Sequence, residues 1–267
     1  MAGTHIDNNI QKTKRLKTRE FSRVIDSNVV LPFAPFHWLS LAIKDFINAP
    51  LIALSYGVLF SIIPISISFL VLSTQNHLII LPSTVAFALI GPAFATGLYD
   101  VAWELEKGHT PTFKHSLKSM FRNPVGEWGF ALLLVMIMMA WMRIAAVIHV
   151  LYPSHAQPTI EELLSFLTMG VITGAIISVL VFTLSAFTPQ IMVERRVDIM
   201  TAIMTSIKAV NKNMIAMLVW SLIIVAMVGV SVLTFGFGFI ITMPILAFAS
   251  WHAYIEVIKT KRQRHYE

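Results

Sequence analysis

Few residues in this 267-residue chain have the means to do chemistry. Arg143 is the costliest, a lone cation inside a long apolar stretch. A charge within a membrane span usually faces the bundle interior and marks an ion or substrate path. The competing use is snorkelling, in which the apolar stem carries the guanidinium to the nearer interface. Seven residues separate Arg143 from the expected helix end at 150, about 10 Å at ~1.5 Å per residue, and both uses stay open. No acidic residue lies at matching depth in another span. His77, His149 and His155 would share one side of a membrane and could offer imidazoles to copper or zinc. Met138 and Met142, spaced i, i+4, would add thioethers to a copper(I) path. Packing is the commoner use of methionine, so no metal or cofactor is expected. Asp100 and Glu104 are also spaced i, i+4. With Glu194 and Glu256 they could line a vestibule, pairing with Arg195, Lys208 or His252, and either relay protons or pin helix ends. Trp251, His252 and Tyr254 crowd the end of the last apolar run. Only His149 and His252 approach membrane depth, near opposite faces, which excludes a haem–copper core needing several histidines together.

Other chemistry is missing. There is no cysteine, hence no disulfide, thiolate metal site or cysteine nucleophile. No phosphate loop, nucleophile elbow, zinc-protease helix or dinucleotide fingerprint occurs. The chain is not expected to be an enzyme.

These residues need elements to position them, and composition says which kind. Hydrophobic residues make up 56% and charged residues 13%, with a mean hydropathy of +0.74. A soluble domain carries roughly 25% charged residues, so lipid is the simplest solvent for this chain. About 20 apolar residues cross the hydrocarbon core. Charge gaps, divided at Ser73–His77, Pro153–Pro158 and Thr234–Gly238, predict six spans near 50–72, 82–104, 127–150, 163–189, 213–234 and 238–258. The fold class is all-α, a polytopic membrane protein of three parallel helical hairpins with short amphipathic interfacial helices. Residues 1–34 and 259–267 are expected as basic cytoplasmic tails, the first mobile and not a signal peptide, flanking a single membrane domain over 35–258.

The cations orient it. The net charge is +6. Nineteen of the twenty Lys and Arg residues fall in four segments. These are the N-terminal region through Lys44, Lys107 to Arg122, Arg195 to Lys212, and Lys259 to Arg264. Lys and Arg collect on the cytoplasmic side of spans. Both termini are therefore expected in the cytoplasm of a bacterial inner-membrane protein. No nucleic-acid partner is expected.

Three segments repeat a pattern: Ser40–Asn48, Ser116–Asn123 and Ser206–Asn213. Each carries a Lys and ends at an Asn placed to cap the following span. Thr110-Pro111 is expected as N-cap and N1 of a helix over 110–123 that contains the second. Phe113, Leu117, Met120 and Phe121 share one face there. Val197, Met200, Ile203, Met204, Ile207 and Val210 do so over 197–212. Such faces suit anionic lipid at the cytoplasmic surface, or the helix of a membrane-protein partner. Tyr99 and Trp251 each follow a proline by seven residues and are expected at headgroup level.

Phe187-Thr188-Pro189-Gln190-Ile191-Met192-Val193-Glu194-Arg195-Arg196-Val197-Asp198, Ser206-Ile207-Lys208-Ala209-Val210, Trp251-His252-Ala253-Tyr254 after Pro244, and Gly91-Pro92-Ala93-Phe94-Ala95-Thr96-Gly97-Leu98-Tyr99-Asp100 carry a resemblance. Over residues 35–258 the chain resembles an uncharacterised bacterial family of six-span integral membrane proteins. Some members are labelled cytochrome c oxidase subunits, which implies a respiratory complex as partner. The family's Gly-His pair ahead of Trp-His-x-Tyr is Ala247-Phe248 here, so no haem or metal role carries over to it. The expected function is a non-catalytic accessory, assembly or scaffold protein near a respiratory terminal oxidase. The alternative is a small-molecule or ion transporter or channel with a site near Arg143.

Overall fold

The computed structural model describes residues 24–74, 80–121, 124–150, 159–195 and 197–259. The expected tail residues 1–23 and 260–267 lie outside them, as do His77, His155, Arg122, Asn123 and Arg196. Helices account for nearly all of the described chain: α1 (Ala34–Asn48), α2 (Pro50–Thr74), α3 (Ile80–Glu106), α4 (Phe113–Ser119), α5 (Pro124–Val150), α6 (Ile160–Ser185), α7 (Thr188–Arg195), α8 (Ile199–Lys212), α9 (Met214–Leu233) and α10 (Phe239–Val257). Among the described residues, five helical stretches are long and apolar enough to cross a membrane: α2, α5, α6 with α7, α9 and α10. Helix α3 occupies the position expected for a sixth span.

Local chemistry sets the breaks. Ala49 separates α1 from α2 because Pro50 disfavours helical geometry in the residue before it, and Ala49 sits at φ −132°, ψ 55°. Asn48 and Asn213 do not act as the expected caps. The Asn213 side chain makes no cap bond to α9. It accepts from the Val30 N–H at 2.9 Å and donates to the Asn28 carbonyl at 2.9 Å and the Ala209 carbonyl at 3.0 Å. Thr112, not Thr110, caps α4 through the His115 N–H. The expected hairpin over Thr234–Gly238 is present, with Gly236 at φ 93°. That left-handed backbone favours glycine.

The expected span 163–189 ends at Ser185 and resumes as α7. Pro189 lies in the first turn of α7, where its missing N–H costs nothing. At the break, the Ser206 hydroxyl of α8 accepts from Phe187 N–H at 3.2 Å and donates to the Thr183 carbonyl at 2.9 Å. Those two groups are four residues apart and would bond directly in an unbroken helix. A side chain inserted into that ladder bends it.

Helix α10 is the centre of the packing. It lies chiefly against α1 and α2, rather than against its hairpin neighbour α9. Gly57 permits this approach. A Cβ there would sit 1.9 Å from the Ile240 carbonyl oxygen. Small residues let membrane helices pack backbone to backbone. Residues 24–30 then strap the far end of α10. Asn28 N–H donates to the Val257 carbonyl at 2.7 Å, and Lys259 N–H to the Asp26 carbonyl at 3.0 Å. Lys212 Nζ donates to the Ser27 carbonyl at 2.6 Å.

Candidate functional site

The C-terminal half of α10 and the helices around it gather a set of ionisable groups, from buried Asp45 to exposed Glu256. His252 and Asp45 pair at 2.7 Å, joining α10 to the last turn of α1. One turn on, Glu256 accepts from the Trp38 indole N–H at 2.5 Å. The Tyr254 hydroxyl donates to Glu194 of α7. Arg195 lies 3.7 Å from the same carboxylate and also donates to the Lys259 carbonyl. Helical spacing makes this possible. Residues 252 and 256 share one face of α10 and look at α1, while 251 and 254 look at α3 and α7.

A second cluster surrounds α3. Asp100 is buried and pairs with His115 of α4 at 2.8 Å. Ser116 lies 2.8 Å from the Tyr56 hydroxyl and donates to the Gly97 carbonyl at 2.6 Å. A Cβ at position 97 would lie 2.2 Å from the Tyr56 oxygen, so glycine makes room for this contact. Glu104 holds Lys107 at 3.3 Å and His109 at 3.0 Å. Lys107 also stands 4.1 Å above the Trp103 ring.

Aromatic rings join the clusters. Trp251 is fully buried, stacked on Tyr99 at 6.0 Å, with Trp103 at 5.9 Å and Tyr254 at 5.4 Å. Tyr99 and Trp251 therefore face each other within the protein rather than surrounding lipid. Their matching positions after Pro92 and Pro244 bring them face to face in the interior.

Asp100, Glu104, Trp251, His252 and Tyr254 thus meet at one end of the molecule. Arg143 does not join them. It lies on the exposed surface of α5. His149 is carried near the end of α5, and its side chain lies outside the described residues. Met136 and Met139 of α5 face outward. Among the described residues, no group of three His, Asp or Glu side chains is placed to hold a metal ion. The expected pairings are redistributed. Glu194 keeps Arg195, but His252 takes Asp45, and Lys208 lies 4.0 Å from Asp26. Asp45, Trp38 and His115 were not visible as site residues. Asp45 alone carried a signal, as an acid inside the otherwise apolar and basic first segment.

Outside the spans, Asp198 caps α8. The Thr201 hydroxyl and Thr201 N–H hold its carboxyl below the usual carboxylate range. Chemically, Asp45, Asp100, Glu194 and Glu256 each stand against a His, Tyr or Trp side chain. Such pairing fixes helix orientation, since a buried acceptor that loses its donor is costly.

Residues 80–194 match a family described as "Predicted integral membrane protein (DUF2189)", a domain of unknown function. No curated protein and no solved structure matches the chain. The protein is an integral membrane protein with several apolar helices, and less than half of it, residues 80–194, is similar to an uncharacterised membrane family.

Proposed function

We propose that this is a non-catalytic accessory or scaffold protein of the bacterial inner membrane. A respiratory terminal oxidase is the partner that the family resemblance suggests. One observation carries the reading. Four side-chain contacts, His252 with Asp45, Trp38 with Glu256, Tyr254 with Glu194 and His115 with Asp100, join α10 to α1 and α7 and α3 to α4. Groups committed to holding helices suit a rigid scaffold better than a substrate path. No observation among the described residues favours transport, because Arg143 stands on the outer surface of α5.

The topology proposed is six crossings with both termini cytoplasmic. The bridge between Ser27 and Ile258 supports an even number of crossings, because it puts the start and end of the helical region at one level. With five apolar stretches already assigned, evenness makes α3 the sixth. The repeat reading finds support in two matching contacts. Ser116 and Ser206, at equivalent positions of their segments, each donate to a carbonyl of the preceding long helix. Ser40 instead bonds within its own helix.

The test is capture from native membranes. Tagged full-length chain, cross-linked before mild solubilisation, is expected to carry subunits of a membrane complex at fixed stoichiometry. Recovery as an isolated chain or homomer, with respiration unchanged on deletion, would sink the proposal.

A further inference from the structure

Helices α1, α4 and α8 come from separate parts of the chain, yet they share an arrangement that amphipathic spacing alone did not reveal. Each buries small or polar side chains, alongside Trp38 in α1 and Ile203 and Val210 in α8. Ala42 and Asp45 are buried in α1, Ser116 and Ser119 in α4, and Thr205, Ser206 and Ala209 in α8. Their large apolar side chains divide, and many stay outside. Phe36, Ile43 and Ile47 are exposed on α1, Phe113 and Leu117 on α4 with Phe121 just beyond it, and Met200 and Met204 on α8.

A helix packing its apolar stripe onto a soluble core would not leave so many of these side chains outside. Exposed Phe113, Leu117 and Phe121 recur every four residues beside Lys114 and Lys118, which are also exposed. Lys44 lies beside Ile43 in the same way. The outward faces carry no acid. Neither α4 nor α8 contains Asp or Glu, and Asp45, the only acid in α1, is turned inward to His252. A partner surface for these faces must therefore be apolar and anionic together.

We infer that α1, α4 and α8 form a collar seated in the headgroup region of one leaflet, binding anionic phospholipid through Lys44, Lys114 and Lys118. A bilayer supplies both required properties at one depth, apolar acyl chains beside anionic headgroups. Lys208 contributes less because it stands near Asp26. The inference rests on the membrane placement of the spans and not on the accessory role, so either can fail alone.

The experiment is native mass spectrometry of the full chain in detergent micelles, titrated with phosphatidylglycerol or phosphatidylcholine, with inorganic phosphate as a soluble competitor. Phosphatidylglycerol is expected to bind more tightly. The double variant Lys114→Gln, Lys118→Gln should weaken that binding by about fivefold for each lysine. Equal binding of the two lipids, unchanged affinity in the double variant, or displacement by phosphate overturns the inference. The cysteine-free sequence permits a second readout that does not depend on charge variants. A spin label at Phe121→Cys, in vesicles of mixed phosphatidylcholine and phosphatidylglycerol, should be reached by oxygen from the bilayer more readily than by an aqueous relaxation agent. Greater access from water, or shielding from both as under a protein partner, overturns it.

Discussion

Helices α6 and α10 are both apolar enough to span a membrane, and they use that property in opposite ways. The apolar window of α10 has a mean hydropathy of 1.3 and is 56% buried within the protein, whereas the window that begins in α6 has a mean hydropathy of 2.2 and none of it is buried. The less apolar helix is the interior one. In water this would be perverse. In lipid it follows from the solvent, because acyl chains welcome Leu and Val as readily as a protein core does, and give no reason to bury them. What lipid rejects is polar surface. Helix α10 carries Thr242, His252 and Tyr254, and it packs where they meet Ser231, Asp45 and Glu194. Helix α6 carries Ile172, Ile176, Val179 and Leu180 exposed, and leaves them there.

Substitutions matched between the two helices sharpen this contrast. The largest expected loss is Trp251→Ala, which removes a fully buried ring from contact with three others and should cost about 3–5 kcal/mol, read as loss of folded chain on heating in detergent. Val179→Ala in α6 should leave the same melting curve unmoved, and a comparable loss there would break the comparison. Gly57→Ala comes next. A methyl group cannot share space with the Ile240 carbonyl, so α2 and α10 must separate, at a cost of about 3 kcal/mol. Gly170→Ala in α6 meets open space and should be neutral or stabilising by about 1 kcal/mol through helix propensity.

Asp45→Ala should cost about 2 kcal/mol by leaving His252 without its acceptor in the interior. Asp45→Asn, which keeps an acceptor oxygen, is expected to recover part of that loss in the same assay. Asp198→Ala is the smallest, about 1 kcal/mol for a lost cap. Because its folded pKa is depressed, the cap's contribution is present above the ordinary carboxylate range. It is lost as pH falls through the folded value. The wild-type advantage over Asp198→Ala should therefore vanish in acid and persist at neutral pH. An advantage that grew on acidification would refute the assignment of the cap.

The amount legible from residues alone differs between fold and site. Helix positions were legible because charge is so costly in lipid that gaps between charges mark the spans. The turn at Thr234–Gly238 was legible because glycine supplies its left-handed residue. The end of α6 was misplaced for a specific reason. Pro189 looks like a terminator, but the break comes earlier, where Ser206 enters the backbone ladder from α8, distant in sequence. Tyr99 and Trp251 were noticed as a matched pair but not as partners stacked on one another, since an amphipathic aromatic suits an interface as well as an interior. The partners of the site residues were hidden for the same kind of reason. Asp45 and His252 are separated by most of the chain, and so are Trp38 and Glu256.

By itself the sequence determined the class of the molecule, the location of its apolar helices and the clustering of its cations. These follow from transfer free energies, which belong to each residue in its own place along the chain. Only the tertiary structure decided which apolar helix is interior, that Arg143 lies outside the buried polar end, and that each carboxylate there has its own donor. Those depend on which surfaces meet. In a solvent that does not drive apolar surfaces together, meeting is governed by small residues such as Gly57 and Gly97 and by polar groups in need of partners, and neither leaves a period in the sequence.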